Sequence, residues 1–321
     1  MTKFACPNCK KEYDEKTGDG YCNNQPECEY GLGWLTELAS TNSTEETSET
    51  NFPDPISLER ELGLCVLMMD GSYSMADPAF PSSDYSGNRY DLIARNSATG
   101  IWSLKNLTEI DSAYIALCVF AGKPSWIWTK SIKEMITEYQ SRQNFSDFIY
   151  ETLAKKTPEP KTTNINAALN LAYKIFEQFM EGNLKDFGGL TDFKPLEHQV
   201  VRQNEKGKED FVTIPNARAL IYTDGEHNVT APIRNPFEQT EQSILITAFI
   251  GEEEESSGIK QMRKLAAICP KHSPSKGFFL FEDAERSQIL KGLFRMASGA
   301  SGFCPSCLLM DHPHPTEQTS E

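Results

Sequence analysis

Three short segments, far apart in the chain, carry oxygen-bearing side chains that could bind a divalent cation. They are Asp70-Gly-Ser72-Tyr-Ser74, Thr163-Asn-Ile and Thr-Asp224-Gly. Hard divalent cations such as Mg²⁺ and Mn²⁺ prefer oxygen ligands in near-octahedral geometry, with few carboxylates and some retained water. In the first segment every second residue offers a short oxygen side chain, so the three can converge on one point. Because Ser and Asp are also ordinary turn residues, the pattern gains meaning only from the elements around it.

Two of these segments follow predicted strands, and the third precedes a predicted helix. The apolar run LGLCVLMM stops at Asp70, and the run ARALIYT stops at Asp224. Such runs are typical of strands that are buried on both faces of a sheet. Thr163 stands directly before residues 164–181, where apolar side chains recur at helical spacing.

Further apolar segments complete an alternation of strands and helices. Strands are predicted at 62–69, 112–121, 217–224, 243–251 and 277–281, and helices at 89–107, within 130–155, and at 164–181, 258–268 and 284–297. Strands that alternate with helices imply an α/β fold with a doubly wound, mostly parallel sheet. Ligands of such sheets bind beyond the carboxyl ends of the strands, which is where we expect Asp70 and Asp224 to lie.

In order and in structural context, the three segments resemble the metal-ion-dependent adhesion site of the von Willebrand factor A (VWA) domain, also called the integrin I-domain fold. The resemblance implies that the hydroxyls of Ser72 and Ser74 bind the metal directly and that Thr163 joins them in the ligand-competent state. Asp70 and Asp224 would act directly or through water. The alternative is that the same residues only cap helices and turns.

Such a site would bind a partner rather than catalyse a reaction. Two carboxylates and three neutral hydroxyls leave a cation with an open coordination position, which favours an Asp or Glu carboxylate from a partner protein. The chain contains no GxxxxGK[ST], GxSxG or HExxH motif. His227 is the one histidine beside the predicted site, and a general-base role is the alternative to a position on its rim. We therefore expect no enzyme activity.

The N-terminal cysteines have the spacing of a zinc site. Cys6, Cys9, Cys22 and Cys28 follow the pattern C-x2-C-x12-C-x5-C, and four thiolates suit tetrahedral Zn²⁺. A polar segment of about 30 residues builds no core of its own and needs such a metal to fold. The first pair resembles a zinc-ribbon knuckle, whereas the second pair is more widely spaced than the usual CxxC. The alternative is a redox CxxC, which usually sits beside a βαβ unit that is not predicted here.

The C-terminal segment carries a second group of candidate zinc ligands. Two cysteines and two histidines could close one site there, and they are Cys304, Cys307, His312 and His314. The alternatives are a site that a partner chain completes, or free thiols in the tail.

Composition favours a cytoplasmic protein that binds neither membranes nor nucleic acid. The formal net charge is −15, from 31 Lys and Arg against 46 Asp and Glu, whereas phosphate backbones and anionic lipids attract clustered basic residues. No window reaches the roughly 18 apolar residues of a spanning helix, and the first residues lack the apolar segment of a signal peptide. In a reducing cytosol, paired CxxC spacings favour metal over disulfides. Cys65 and Cys118 stand inside apolar runs and are expected in the core.

The same composition divides the chain into four parts. We predict a zinc-ribbon-like module at 1–30, a linker at 31–59, a VWA domain at 60–300 with a polar insertion at 183–215, and a Cys/His-containing tail at 301–321. The linker contains Ser, Thr, Glu and Pro with few apolar groups, which is typical of flexible segments. The insertion is expected beside the metal site, where it would contact a partner.

The leading functional hypothesis is a non-enzymatic, metal-dependent protein-interaction module. The chain resembles intracellular bacterial VWA regulatory proteins, which implies a place in a signalling or regulatory assembly with kinase, phosphatase or ATPase partners. One alternative is a VWA and zinc-ribbon subunit of a nucleic-acid-processing complex. Another is a hydrolase in which the cation activates water. Since a fold hosts many functions, the site has to decide between them.

Overall fold

The chain divides into two units, Met1–Ser57 and Leu58–Glu321. The computed structural model describes residues 3–5, 12–13, 36–38, 60–80, 86–106, 110–203, 209–224, 227–239, 245–251, 256–266 and 278–281. No helix among these residues is both long enough and apolar enough to cross a membrane.

The first unit contains a small antiparallel sheet. Its strands are β1 (Lys3–Ala5), β2 (Glu12–Tyr13) and β3 (Thr36–Leu38), with β1 in the centre. Phe4 pairs with Tyr13 on one side and with Glu37 on the other. Strand β3 therefore lies in the segment that the sequence assigns to the linker at 31–59.

The second unit contains nine of the described strands and all five described α-helices. The strands are β4 (Arg60–Asp70), β5 (Ala113–Phe120), β6 (Pro124–Ser131), β7 (Phe193–Pro195), β8 (Glu197–Gln203), β9 (Glu209–Pro215), β10 (Ala217–Thr223), β11 (Leu245–Ile250) and β12 (Phe278–Phe281). The helices are α1 (Arg89–Trp102), α2 (Ile132–Tyr139), α3 (Arg142–Lys156), α4 (Ile165–Met180) and α5 (Ser257–Leu265). Short 3-10 turns lie at Tyr73–Ala76, Lys185–Phe187 and Pro236–Gln239.

The main sheet has the strand order β12-β11-β10-β4-β5-β6. All neighbours in this order are parallel except β6, which is antiparallel to β5. The chain passes from β4 to β5 on one side and later returns to β10 on the other side of β4. The gap between β4 and β10 is therefore the point where the winding reverses, and ligands of doubly wound sheets bind at such points. The predicted fold class is confirmed for the main sheet.

Helices cover both faces of this sheet, and β4 shows why. Its alternate residues Cys65, Leu67 and Met69 pack on the face covered by α1, α2 and α3. Leu64, Val66 and their neighbours pack on the opposite face with α4 and α5. Because a strand directs successive side chains to opposite faces, the part of a strand that is buried on both faces must be apolar, as β4 is from Leu62 to Met69.

Two of the expected core residues lie in the core. Cys65 and Cys118 are buried free thiols in β4 and β5. Burial raises the pKa of Cys65 to about 12 and raises that of Cys118 as well. Since the thiolate is the reactive form of cysteine, both side chains act as small apolar core groups.

The structure corrects the prediction about the insertion at 183–215. Strand β7 pairs with the first residues of β4, and β8 with β9 forms an antiparallel hairpin. The base of the hairpin is fixed at this same end, where Leu196 N donates to Leu62 O (2.7 Å) and Asn216 N donates to Leu196 O (2.6 Å). The hairpin therefore starts at the amino end of β4, about eight residues or roughly 25 Å from the carboxyl end that carries Asp70. The insertion does not start beside the predicted site.

Strand β6 was not predicted from the sequence. It begins at Pro124, forms the edge of the sheet, and is half-buried along most of its length. Proline is compatible with the start of an edge strand because no ladder partner needs its missing N–H. The strand is mostly half-buried, with only Trp128 and Ser131 buried, and it lacks the continuous apolar run that marks the central strands.

Candidate metal centre

The predicted site lies where the winding of the sheet reverses. Asp70 is the last residue of β4, and Asp224 follows the last residue of the neighbouring strand β10. On the other side of β4, Gly71 N donates to Phe120 O at the end of β5 (2.8 Å). Three strand ends therefore converge, as the sequence predicts.

Asp70 is fixed by hydrogen bonds to both carboxylate oxygens. Its side chain is fully buried. Ser72 N donates to Oδ1 (2.8 Å), and the Thr223 hydroxyl donates to Oδ2 (2.6 Å). A buried carboxylate is costly unless donors or a cation compensate it, so the two bonds hold Asp70 in one orientation within the sheet edge.

A row of three oxygen atoms lies beside Asp70. Ser72 Oγ is 3.1 Å from Ser74 Oγ, and Ser74 Oγ donates to Asp224 Oδ1 at 3.0 Å. Ser72 is buried, whereas Ser74 is exposed. The Asp224 carboxylate at the other end of the row is buried as well, so the row reaches solvent at its middle member, Ser74. An ion in this position has access to an external ligand on the Ser74 side.

The spacing of these oxygens fits a small divalent cation. Adjacent ligands of an octahedral Mg²⁺, with metal–oxygen distances of 2.0–2.1 Å, are separated by roughly 2.9 Å. The two separations of 3.1 and 3.0 Å are close to that value. Among the described residues no group of three or more His, Cys, Asp or Glu side chains is placed to hold a metal. An ion here would therefore depend on the hydroxyls as well as the carboxylates.

Thr163 lies near this row but does not join it through a hydrogen bond. It is buried, and its backbone forms two bonds with Asn228: Thr163 N donates to Asn228 Oδ1 (2.7 Å), and Asn228 N donates to Thr163 O (3.1 Å). The next residue, Asn164, donates its N–H to Ala121 O, just beyond β5 (2.8 Å). The structure thus brings four of the five predicted ligands into one hydrogen-bonded cluster and holds the fifth at the same edge.

Burial and a neighbouring carboxylate make the charged form of Asp70 costly. Its pKa is raised to about 7, chiefly by burial and further by the charge of Asp224. Hydrogen bonds from Thr223 and Ser72 oppose the rise and do not cancel it. Two neighbouring buried carboxylates disfavour each other's charge, and a divalent cation between them removes that cost.

Arg89 is a residue of the site that the sequence analysis missed. It is the first residue of α1, and its guanidinium forms an ion pair with Asp224 Oδ2 through Nη1. The same nitrogen donates to Ser74 O at 3.1 Å. The Asp224 carboxylate is fully buried, and burial raises its pKa while the Arg89 charge lowers it. Arg89 is therefore a positive charge of the protein itself, placed against a predicted metal ligand.

Tyr90 supports the loop that carries the two serines. Its buried hydroxyl donates to Ser72 O (2.6 Å) and also faces Gly71 O (3.1 Å). Burial and then the charges of Asp70 and Asp224 raise the pKa of Tyr90 to about 12. The phenol therefore keeps its proton at neutral pH and remains a donor to this loop.

The imidazole ring of His227 is fixed by contacts with backbone groups of the chain. Its Nδ1 accepts from Ile165 N at the start of α4 (3.2 Å), which requires the proton to be on Nε2. Nε2 lies 2.7 Å from Ala231 O, a carbonyl that can accept that proton. Both ring nitrogens are thus engaged within the chain, and the imidazole links the loop after β10 to α4.

Gly71 is required at its position by close packing. A Cβ atom there would lie 1.9 Å from Thr157 Oγ1 and 2.7 Å from Thr157 Cβ. We expect Gly71→Ala to lower the free energy of unfolding by about 1–3 kcal/mol, the usual cost of overpacking, and to weaken Mn²⁺ binding by displacing the serine loop. Chemical denaturation and calorimetric titration measure the two effects.

Thr157→Gly tests that explanation, because it removes the atoms in conflict. The double variant Gly71→Ala/Thr157→Gly should be less destabilised than the sum of the two single variants. Strict additivity would show that Gly71 is needed for another reason.

The predicted zinc ligands lie outside the described residues. This holds for the N-terminal set, Cys6, Cys9, Cys22 and Cys28, and for the C-terminal set, Cys304, Cys307, His312 and His314. Both sets stay predictions.

Fold and site define the chain as an α/β protein whose loops assemble an oxygen-lined cluster at the carboxyl edge of a doubly wound sheet. No family model and no curated protein matches the chain. Several solved structures are similar to it. One is the structure of proximal thread matrix protein 1 from the mussel byssus with a zinc-occupied MIDAS motif. Its TM-score is 0.42 and its identity 12%, and the match covers 75% of this chain and 49% of the mussel protein.

Two further structures illustrate the range of the similarity. The manganese-loaded TRAP protein of Plasmodium vivax has a TM-score of 0.43 and 16% identity, over 74% of this chain and 75% of its own. The conserved hypothetical protein BatB of Bacteroides thetaiotaomicron has a TM-score of 0.40 and 12% identity, over 74% of this chain and 97% of its own. The chain spans only about half the length of the mussel protein. At these scores and identities the likeness does not indicate what this chain binds.

Proposed function

We propose that this protein is a metal-dependent protein-interaction module that binds a carboxylate of a partner protein through one divalent cation, Mg²⁺ or Mn²⁺. The observation that carries the proposal is the row of Ser72 Oγ, Ser74 Oγ and Asp224 Oδ1, spaced at 3.1 and 3.0 Å with the exposed Ser74 in the middle. Asp70 supplies a second carboxylate next to this row, and Thr163 is held at the same edge.

In this proposal the chain's own residues have separate tasks. The serine hydroxyls and Asp224 would hold the cation, while Asp70 would act directly or through water. The bound cation would supply a positive charge with an open coordination position, and the exposed Ser74 in the middle of the row leaves that position accessible to a partner. Asp and Glu side chains are the hard anionic ligands that proteins offer to such an ion.

The chemistry favours binding over turnover. His227, the residue that could have served as a general base, has both ring nitrogens engaged with backbone groups. The net charge of −15 disfavours nucleic acid as the partner. A bound cation would be a local positive charge on this acidic chain. We therefore propose a non-enzymatic subunit of a cytoplasmic signalling or regulatory assembly, with kinase, phosphatase or ATPase partners.

Structural zinc in the first unit belongs to the same proposal. The segment that carries Cys6 and Cys9 joins two antiparallel strands, since Ala5 of β1 pairs with Glu12 of β2. A CxxC between paired strands suits a zinc-ribbon knuckle, and Cys22 with Cys28 would complete four thiolate ligands.

Metal binding is the first test of the proposed function. Ser72→Ala and Ser74→Ala should each weaken Mn²⁺ binding by about tenfold or more, since a ligand that contributes roughly 1.4 kcal/mol accounts for a factor of ten. Isothermal titration or manganese electron paramagnetic resonance measures the affinity. Ser103→Ala is the matched control, because Ser103 follows α1 at the opposite end from Arg89. Affinities that match the control would contradict the predicted ligand set.

Partner binding is the second test. Wild-type protein, Ser72→Ala and Ser103→Ala are each used to capture proteins from native lysate in Mn²⁺ and in EDTA. A partner of the kind proposed is captured by the wild type and the control in Mn²⁺ only, and replacing one of its Asp or Glu residues abolishes capture. Equal capture under all conditions would refute a metal-dependent interaction.

A further inference from the structure

We propose that the partner segment presents an apolar or aromatic side chain next to its metal-binding Asp or Glu, and that Tyr73 and Tyr150 receive it; this inference rests on the proposed function. Among the described residues, these two are the large apolar side chains that are exposed, at 59% and 38%. Both belong to the surroundings of the candidate metal centre. We refer to the two rings as the tyrosine pair.

Tyr73 is held in place within the serine loop itself. It stands between Ser72 and Ser74, whose hydroxyls form the oxygen row. Its backbone N–H donates to Pro160 O (2.8 Å), and it begins the 3-10 turn at Tyr73–Ala76. The backbone is thus fixed while the ring remains exposed, so the ring is available to a partner segment that reaches this loop.

Tyr150 is held by contacts with the start of α1 and with Asn88, the residue before it. Its ring packs edge-on against Tyr90, with centroids 6.3 Å apart and planes at 90°. Asn88 Nδ2 donates to its hydroxyl at 3.4 Å. Tyr90 in turn donates to Ser72 O, so a single intervening residue connects Tyr150 with the serine loop.

The charges at this surface match an acidic segment. Arg89 lies between Asn88 and Tyr90, the two residues that contact Tyr150, and its side chain is 19% exposed. It places a guanidinium next to Ser74 on a chain whose net charge is −15. Arg89 is itself paired with Asp224, so the attraction depends on the whole site: a bound divalent cation neutralises Asp70 and Asp224, and Arg89 then leaves one net positive charge that attracts a carboxylate.

The two rings supply apolar contact area, which the charged groups do not offer. Tyrosine offers a large apolar area with few rotatable bonds, which is why it contributes strongly to interfaces at a small entropic cost. Apolar contacts of this kind, next to one charged contact, commonly carry most of the binding energy of an interface. The occupant inferred here is an extended segment with Asp or Glu beside Phe, Leu, Tyr or a similar residue.

Random peptides displayed on phage provide a probe that assumes no partner. They are selected on wild-type protein in Mn²⁺ and eluted with EDTA, so that only metal-dependent binders are sequenced. The same selection is run on Tyr73→Ala/Tyr150→Ala, on Tyr73→Phe/Tyr150→Phe and on Tyr173→Ala, a control for a tyrosine of α4 on the opposite face of the sheet. The Mn²⁺ affinity of each protein is measured separately, so that loss of the metal is not mistaken for loss of the tyrosine pair.

The expected result is an enrichment of Asp or Glu next to an apolar residue with wild type, the Phe variant and the control. One selected peptide and its apolar-to-Ser version then complete a double-mutant cycle. Removing the tyrosine pair should weaken the first peptide by about tenfold and leave the second nearly unchanged.

Other outcomes overturn the inference in distinguishable ways. Metal-dependent peptides that share only Asp or Glu would refute the role of the tyrosine pair and leave the proposed function intact. An apolar preference that persists without the two rings would place the apolar contact elsewhere. If no peptide depends on Mn²⁺ although the ion binds, both the inference and the carboxylate-binding function fail.

Discussion

Replacing Arg89 with methionine is expected to tighten Mn²⁺ binding and, at the same time, to destabilise the metal-free protein. The guanidinium is paired with the buried Asp224 carboxylate, a predicted metal ligand. Two like charges about 5 Å apart repel each other by roughly 3 kcal/mol at an effective dielectric constant of 20. Removing one of them should therefore improve the Mn²⁺ affinity by about tenfold or more.

In the metal-free protein, Arg89→Met should lower the free energy of unfolding. Asp224 would keep its buried charge and lose its partner, and breaking a buried pair in this way costs several kcal/mol. A longer-range effect of net charge is controlled by Arg95→Met, which removes the same charge from an exposed position on α1 that pairs with Asp91. Calorimetric titration gives the affinity, and chemical denaturation in EDTA gives the free energy of unfolding.

The two readouts together make the prediction specific. An affinity that rises with Arg89→Met and stays constant with Arg95→Met would identify Arg89 as a competitor of the metal. Weaker Mn²⁺ binding in Arg89→Met would instead mean that the guanidinium supports the ligands in their binding geometry. Arg89→Lys, which keeps a charge on a different stem, should fall between the wild type and methionine.

The second large effect is expected for Asp70→Asn, which should stabilise the metal-free protein at neutral pH while it abolishes metal binding. The pKa of Asp70 is raised to about 7 in the folded protein, against an ordinary value of 3.8. Over this interval the folded state binds a proton that the unfolded state has lost. The contribution of Asp70 to the stability of the metal-free protein therefore falls as the pH rises from about 4 to about 7.

A pKa raised by about three units corresponds to on the order of 4 kcal/mol. Above pH 7 the ionised Asp70 lowers the free energy of unfolding by this amount. Asparagine has a similar shape and carries no charge, so it removes this cost and flattens the pH dependence. Denaturation in EDTA between pH 4 and pH 8 measures both effects. Asp111→Asn is a suitable control, because Asp111 is exposed and pairs with Lys133 at the surface. An unchanged pH profile in Asp70→Asn would assign the dependence to another group.

Added Mn²⁺ should reverse the order of stability of the wild type and Asp70→Asn. A cation that binds only the folded state stabilises it in proportion to its occupancy. At neutral pH the wild type should therefore gain thermal stability with Mn²⁺, whereas Asp70→Asn should not. A gain of equal size in both proteins would show that the ion binds elsewhere.

The central strands and the clustering of the oxygen-bearing side chains could be predicted because their physical requirements appear directly in the sequence. A strand buried on both faces has to be mostly apolar, as β4 is from Leu62 to Met69 and as β10 is apart from Arg218 and Thr223, and the Asp at the end of each apolar run marks the carboxyl edge. Helix α4 shows its apolar stripe at a period of 3.6 and was predicted to within a residue at each end.

Other parts of the site could not be predicted because they depend on contacts between distant residues. Arg89 has no short-range pattern that relates it to Asp224, and the two meet only because α1 starts next to the serine loop. Tyr90 likewise has the sequence context of an ordinary helical core residue. Its hydroxyl bond to Ser72 O requires the tertiary structure.

The strands β6, β8 and β9 were missed for a different reason. Strand β6 is half-buried, and the hairpin of β8 and β9 interleaves its few apolar residues with charged ones. The polar composition of 183–215 suggested a loop near the site. Only the pairing of β7 with the start of β4 reveals that the hairpin begins at the opposite end of the sheet.

The hydrogen bond between Ser74 and Asp224 joins residues that are 150 positions apart, and that between Thr223 and Asp70 joins residues 153 positions apart. Such contacts close only after the intervening strands have found their partners. The cluster therefore does not exist in a partly assembled chain, and an ion has nothing to hold until the sheet is complete. A cation bound here would not hasten the formation of the native state; it would slow its loss.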